Sequence, residues 1–359
     1  MSSSLLLIFV IVFVVVVVDS TENIVSSSKL IEDQIYWSSN IDRSTNSNND
    51  FDNEIVNWID NISRSKFIRF ESGCGRRQNR LLITDQGDKI CARYRHNNEQ
   101  IFGEYYSFLL ARILQISNVL PTTLITCNVN DRWKSIANLL SNNQTKWKAN
   151  KTIVLTKYLK NLKPTLIPRQ FRSKSKRLYP IYDDLNQNQT TISDLIQWSD
   201  LIIFDYLTGN TDRMINNMIN ENWNPQMMEN PVHNLLKQQQ QQQNSNNDDK
   251  LIFIDNESGL FHGYRLLKRY EHLHRSLLDG LCIFRRSTIE NLEKISKLKS
   301  NQFLKLLQNY FDHFTIETDK NSKNLKPTKN FNILRQRIKQ ILKQVEICKG
   351  KKFSLLWSH

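Results

Sequence analysis

Apolar and polar positions alternate along this chain on three different length scales. The first apolar stretch, Leu5–Val18, runs for fourteen residues without interruption. As a helix it spans about 21 Å, short of a roughly 30 Å hydrocarbon core, and its length suits a signal-peptide h-region. No Lys or Arg precedes it, and no clean small-x-small cleavage site follows. Asp19–Asp50 is rich in Ser and Asn and weakly apolar, which predicts a flexible stem. Order is expected to begin near Ile55–Phe70, with Trp58 and Phe67 as packing residues.

Short runs of strand character come next. Leu81-Leu82-Ile83, the turn Asp85-Gln86-Gly87-Asp88 and Lys89–Tyr94 read as a β-hairpin within Cys74–Tyr94. Gln100–Ile116 then switches to a helical period, with Ile101, Tyr105, Phe108, Leu109 and Ile113 on one face and Glu104 beside it. Thr152–Leu159 predicts a strand with Tyr158 near its end. Pro164–Asp184 is Pro-rich and basic and reads as a connector. A helix is predicted over Ser193–Thr208, burying Leu195, Trp198, Ile202 and Leu207 and ending at Gly209. Leu251–Leu260 opens as a short apolar strand. Between these last two lies Gln238–Asp249, a Gln/Asn tract too polar to pack.

The C-terminal part reads as helical. Ser287-Thr288-Ile289-Glu290 has the form of a capping box opening a helix. Leu306, Leu307, Tyr310, Phe311 and Phe314 continue a helical pattern, and Leu334, Ile338, Ile341, Leu342 and Val345 mark a last amphipathic helix.

Composition adds two constraints. The formal net charge is +14, but Lys and Arg are scattered and the densest run, Arg172–Arg177, is broken by serines. No nucleic-acid motif accompanies the charge, so it points at most to acidic partners and not to nucleic acid. The five cysteines, at 74, 91, 127, 282 and 348, include no C-x-x-C pair, which argues against zinc. An apolar N-terminus and sequons at Asn61, Asn143, Asn150 and Asn188 fit the secretory route, where disulfides persist.

Candidate chemistry concentrates where two stretches end in acids. After the buried helix, Asn210-Thr211-Asp212-Arg213 turns the chain, and Asn217 follows Asp212 by five positions. The apolar strand stops at Asp255-Asn256-Glu257. An acid in a loop after a helix, an amide five residues on and an acid at a strand end is the layout of a phosphotransfer site. One carboxylate handles the acceptor hydroxyl, and oxygen ligands hold a hard cation on the nucleotide. Taken singly, Asp212 is an ordinary turn aspartate and Asp255 an ordinary strand cap. Asp205 lies inside the helix and reads as structural. His233 and His262 are unassigned.

The words FDYLTGNTDR, FIDNESGLFHGYR and LCIFRRST resemble those of the four-jointed box kinases, Golgi relatives of the secretory casein kinase family, over roughly Cys74 to Cys348. The resemblance implies an α+β, divergent two-lobed protein-kinase-like fold with a β-rich N-lobe and a helical C-lobe. It places a signal peptide or type II membrane anchor at 1–18 and a disordered stem at 19–54. A kinase-like domain follows at 55–350 and a tail at 351–359. Within that domain the N-lobe covers about 67–157, the C-lobe about 158–350, and a low-complexity insert 237–249. Asp212 is then catalytic, Asp255 and Asn217 hold Mg²⁺ or Mn²⁺, and Glu257 has a metal or positioning role. Arg93 takes the place of the kinase lysine, paired with Glu104, and contacts the phosphates of ATP. The hairpin would roof the nucleotide, yet no G-x-G-x-x-G is present. Cys282 pairs with Cys348 and Cys74 with Cys91, leaving Cys127 odd. The implied substrates are extracellular cadherin domains of the Fat and Dachsous type, with action in the Golgi lumen or outside the cell in planar-polarity and growth signalling. Two other readings use the same residues: a glycan kinase, and a catalytically inactive secreted binding protein. Arg in place of Lys and the missing glycine loop favour the latter.

Overall fold

The computed structural model describes residues 30–45, 48–128, 132–137, 147–172, 176–185, 191–238, 249–318 and 328–351. The first half builds a five-stranded antiparallel sheet. Its strands are β1 (Phe67–Ser72), β2 (Arg80–Thr84), β3 (Lys89–Arg93), β4 (Thr122–Cys127) and β5 (Lys151–Lys157), in the order β1-β2-β3-β5-β4. The expected hairpin is β2–β3, with Leu81 opposite Cys91 and Gly87 turning at φ 85°. Ile62, Phe67, Leu82, Ile90, Tyr94, Ile125, Trp133 and Leu155 fill one apolar cluster of this lobe.

Helix α1 (Asn48–Arg64) precedes the sheet in sequence, and α2 (Asn98–Ile113) lies between β3 and β4. The expectation for α2 was one apolar face, but every residue from Ile101 to Ile113 is buried. The helix is covered on all sides because it sits between the sheet and the helical lobe. Tyr105, for example, bonds through its hydroxyl to Thr315 at 2.8 Å and stacks edge-on against Phe311.

The helical lobe contains α3 (Ile192–Thr208), α4 (Met214–Asn220), α5 (Phe261–Asp279), α6 (Arg286–Lys297), α7 (Ser300–Phe314) and α8 (Thr328–Lys349). Thr191 caps α3 by accepting from the Asp194 amide at 3.1 Å, and Gly209 ends it at φ 65°. That left-handed turn is why glycine stands there. The two disulfides are Cys74–Cys91 and Cys282–Cys348. Cys127 is free and buried, and burial pushes its thiol up to about 12.

Three expectations need correction. The stretch expected to be a stem is structured from residue 30 on: Ile35, Tyr36 and Trp37 are buried. Phe284 of the helical lobe exchanges backbone hydrogen bonds with Ile35 and Trp37, at 2.8 and 3.1 Å. Three apolar residues in a polar stretch carry little sequence signal, and their partner lies far along the chain. The connector reading of Pro164–Asp184 also fails in part. Strand β6 (Leu162–Leu166) joins β7 (Pro231–Gln238) and β8 (Lys250–Phe253) in a second sheet, ordered β8-β7-β6. Pro164 is tolerated because β6 is an edge strand. The capping box is not used either. Helix α6 starts at Arg286, after an Arg285 whose side chain reaches Asp200 at 2.6 Å and also Asp42. Thr288 bonds the same Asp200 at 3.0 Å, and the Ser287 hydroxyl has no partner.

The apolar run Leu5–Val18 and the sequons at Asn143 and Asn188 lie outside the described residues, as do 239–248 of the Gln/Asn tract. Among the described residues no helix is long and apolar enough to cross a membrane. Asn61 and Asn150 are exposed.

Candidate active site

Asp212 and Asp255 stand on loops that the fold brings together. Below Gly209, the Asp212 amide donates to the Asn210 side chain at 2.9 Å, a local turn that fixes the loop. Asp212 itself is half-buried, and the Ser258 hydroxyl donates to its carboxylate. Ser258 belongs to the short turn after Asp255, so the two acidic loops are joined by a direct bond.

Arg213, which sequence reasoning passed over, is the centre of the arrangement. It is wholly buried, and its guanidinium takes Asp205 in a forked pair, Nη2 to Oδ1 at 2.5 Å and Nε to Oδ2 at 3.0 Å. It also donates to the Ile254 carbonyl at 3.1 Å and to the Asn256 side chain at 3.0 Å. Burial pushes the Asp205 carboxyl up and Arg213 pulls it back. Asp205 is therefore the counter-ion of an arginine that holds the end of α3 to the loop after β8, in keeping with its structural reading. No local pattern could reveal this, because Arg213 meets Asn256 only through the fold.

Asp255 follows β8 in the left-handed conformation, at φ 55°. Arg93, the last residue of β3, donates to Asp255 Oδ1 at 2.6 Å. Among the described residues no ion pair within 4 Å joins Arg93 to Glu104, although Glu104 is the strongest charge influence on the buried guanidinium, ahead of Asp255. Asn256 donates to Glu104 Oε1 at 3.4 Å instead. Burial pushes the Glu104 carboxyl up, and Arg93 is the main influence pulling it back. Glu104 Oε2 and Arg93 Nε are both buried without a hydrogen-bond partner among the described residues.

Asn217 is buried on α4, and its amide nitrogen donates to the carbonyls of Met227 and Asn230 at 2.9 and 3.4 Å. Among the described residues no hydrogen bond joins Asn217 to Asp212 or Asp255. Arg95 Nε donates to Glu257 Oε2 at 2.5 Å, and Arg76 Nη1 forms an ion pair at 2.9 Å with Oε1, which has no hydrogen-bond partner among the described residues. Two guanidiniums on one carboxylate suit positioning, not metal binding. Helix α2 presses on this loop through Gly103. A Cβ there would stand 2.7 Å from the Glu257 carbonyl oxygen and 2.9 Å from that of Gly259.

No cluster of three or more His, Cys, Asp or Glu gathers among the described residues. The donor set suits a cation whose shell is completed by phosphate. Mg²⁺ and Mn²⁺ take one or two carboxylates and fill remaining positions with nucleotide oxygens. The Asp255 carboxylate and the unpartnered Glu104 oxygen offer that much.

A five-stranded sheet over a helical lobe, with acidic loops between them, is the architecture of a divergent protein kinase. A solved structure of the Golgi casein kinase with Mn/ADP bound superposes with a TM-score of 0.54 at 13% identity, over 84% of this chain and 77% of that one. The chain belongs to the four-jointed box family: residues 53–351 match the four-jointed box protein middle domain. It is 32% identical over 371 residues to the extracellular serine/threonine protein kinase four-jointed of Drosophila melanogaster, covering 89% of this chain and 61% of that protein. It is 33% identical over 297 residues to Four-jointed box protein 1 of Xiphophorus maculatus, covering 82% of this chain and 66% of that protein. The chain thus spans less than two thirds of the length of either relative.

Proposed function

We propose that this protein is a secretory-pathway kinase that transfers the γ-phosphate of ATP to Ser or Thr hydroxyls of extracellular cadherin domains of the Fat and Dachsous type. The observation that supports this reading is the Arg93–Asp255 contact, made to the turn whose Ser258 bonds Asp212. Asp212 orients and deprotonates the acceptor hydroxyl. Asp255, with the Asn217 oxygen and Glu104, holds Mg²⁺ or Mn²⁺, which supplies charge neutralisation at the transferring phosphoryl group. On binding, Arg93 exchanges its carboxylate partner for phosphate oxygens. Glu257 positions the loop. The drosophilid relative's description as an extracellular Ser/Thr kinase supports the reaction class and a Golgi or extracellular site of action. Two disulfides fit an oxidising compartment.

The test is radiolabel transfer from ATP with Mn²⁺ or Mg²⁺ onto a panel of cadherin domains, with free glycans as a parallel panel. Transfer to Ser or Thr of a cadherin domain is expected. Transfer to glycans alone would reassign the acceptor, and binding without transfer to either would favour a non-catalytic role.

A further inference from the structure

Three helices meet beneath the two acidic loops. Helix α3 ends just before Asp212, α4 starts just after it, and α5 starts just after the turn that carries Asp255. Residues of all three line a cavity of about 10 Å³. Its wall is leucine, isoleucine and methionine except at two points, Asp205 of α3 and His274 of α5. A cavity of roughly 10–15 Å³ holds one water, given two or more polar partners. In a space this small, both polar side chains are within reach of the same molecule.

Both have bonding capacity to spare. His274 is 2% exposed, and its Nε2 has no hydrogen-bond partner among the described residues. A buried imidazole nitrogen left so is costly. The Asp205 carboxylate is held by Arg213, but Oδ2 accepts only from Nε, at 3.0 Å, among the described residues. A carboxylate oxygen has a second lone-pair site. Two acceptors facing one small space suit a molecule with two donors.

We propose that one buried water occupies this cavity, donating to Asp205 Oδ2 and bonded to His274 Nε2, and that His274 is through it a positioning residue for the Asp205–Arg213 pair. Arg213 in turn holds the Ile254 carbonyl and the Asn256 side chain, so a fixed Asp205 carboxylate fixes the residues on either side of Asp255. The effect on catalysis rests on the kinase reading above; the water bridge does not.

Two variants of the full chain test the bridge by urea denaturation. His274→Gln keeps a polar group in reach of the water, whereas His274→Leu is of similar size with no polar atom. With the bridge, His274→Gln should have the higher midpoint. In a dry apolar cavity the order reverses, because the amide is buried without a partner and leucine gains apolar contact. A crystal structure of the wild type should show an ordered water at hydrogen-bond distance from both Nε2 and Oδ2. A reversed order, equal midpoints or no water at those distances would overturn the bridge. In phosphate transfer to a cadherin domain, His274→Leu should be slower on the order of fivefold, the worth of one hydrogen bond, with His274→Gln near wild type. Equal rates in all three proteins would overturn the positioning role. No transfer by the wild type would sink the kinase reading and the positioning role with it, while the stability order still decides the bridge.

Discussion

Asp212 and Asp255 differ in what holds them, and so in how each should fail. Asp212 accepts from Ser258 and faces the acceptor side in the proposed mechanism. A group that acts on the hydroxyl contributes in the transition state, so Asp212→Asn should keep metal-dependent ATP stabilisation while losing phosphoryl transfer. In the same proposed mechanism Asp255 holds the metal already in the ground state, so Asp255→Asn should lose both. Asparagine is the right replacement because it tolerates the left-handed backbone at φ 55°. Thermal shift with Mn²⁺-ATP and transfer to a cadherin domain, run on both variants, separate the roles. Normal Mn²⁺-ATP binding by Asp255→Asn would remove its metal assignment. Asn256, although in a sequon, is 1% exposed and bonded to Arg213, so no glycan fits there in the folded protein.

His274 sets a second expectation at this scale. Burial, and then the nearby Arg337, drive its imidazole down from 6.5 to about 3. The folded protein therefore refuses a proton that the unfolded chain accepts as pH falls through 6.5. Stability from this group is complete above the unfolded value and is lost as pH drops toward the folded one, by about 1.4 kcal/mol per unit. Glu104, Asp200 and Asp205, all raised by burial, act in the opposite sense. Urea denaturation at pH 7.0 and 5.5 should show a smaller loss for His274→Phe than for wild type, because the carboxylates are common to both. Equal losses would mean His274 takes up a proton in the folded state.

Among elements, the contact of α2 with the loop after β8 is the most demanding. In an open helix, Gly103→Ala would gain about 1 kcal/mol from propensity. Here the added carbon meets two backbone oxygens at under 3 Å, and neither can turn aside as a side chain would. Overpacking of this kind costs about 1–3 kcal/mol, so the balance is destabilising. Gly103→Ala should lower the denaturation midpoint and displace Glu257 and Asp255, weakening Mn²⁺-ATP binding. A midpoint at or above that of wild type would mean the helix and loop can separate at no cost. Elements also mark where local signals were overruled. The capping sequence at Ser287 lost to Arg285, whose bonds to Asp200 and Asp42 set where α6 begins.

At the scale of the molecule, the Gln/Asn tract separates two strands that are already partners. Gln238 stands directly opposite Lys250 at the end of the β7–β8 ladder. Asp249 belongs to the fold: its carbonyl accepts from Gln197 at 3.0 Å and its carboxylate pairs with Lys237. Replacing residues 239–248 with a four-residue Gly/Ser linker should therefore close a hairpin and leave both the denaturation midpoint and phosphate transfer near wild type. The shorter loop even reduces closure entropy slightly. Loss of transfer in a folded deletion variant would give the tract a role in acceptor binding.

The sequence by itself determined a good deal at this scale. Hydrophobic periodicity located α2, α3, α7 and α8, the β2–β3 hairpin and β5, because each carries its own period or turn chemistry within a short window. Gly209 announced the end of α3, because that signal is also local, and the spacing of Asp212, Asn217 and Asp255 pointed to a candidate site. The pairing of Cys282 with Cys348 and of Cys74 with Cys91 came from family resemblance, not from spacing. Tertiary structure alone decided the rest. Strand β7, polar in sequence, is a strand because β6 and β8 satisfy its backbone on both edges. Residues 35–37 are ordered because Phe284 pairs with them. Arg93 bonds Asp255 directly, and Arg213, Arg95 and Arg76 came to organise the acidic loops. These are choices among charges brought together from distant positions, where burial and hydrogen-bond geometry select the partner and sequence distance says nothing.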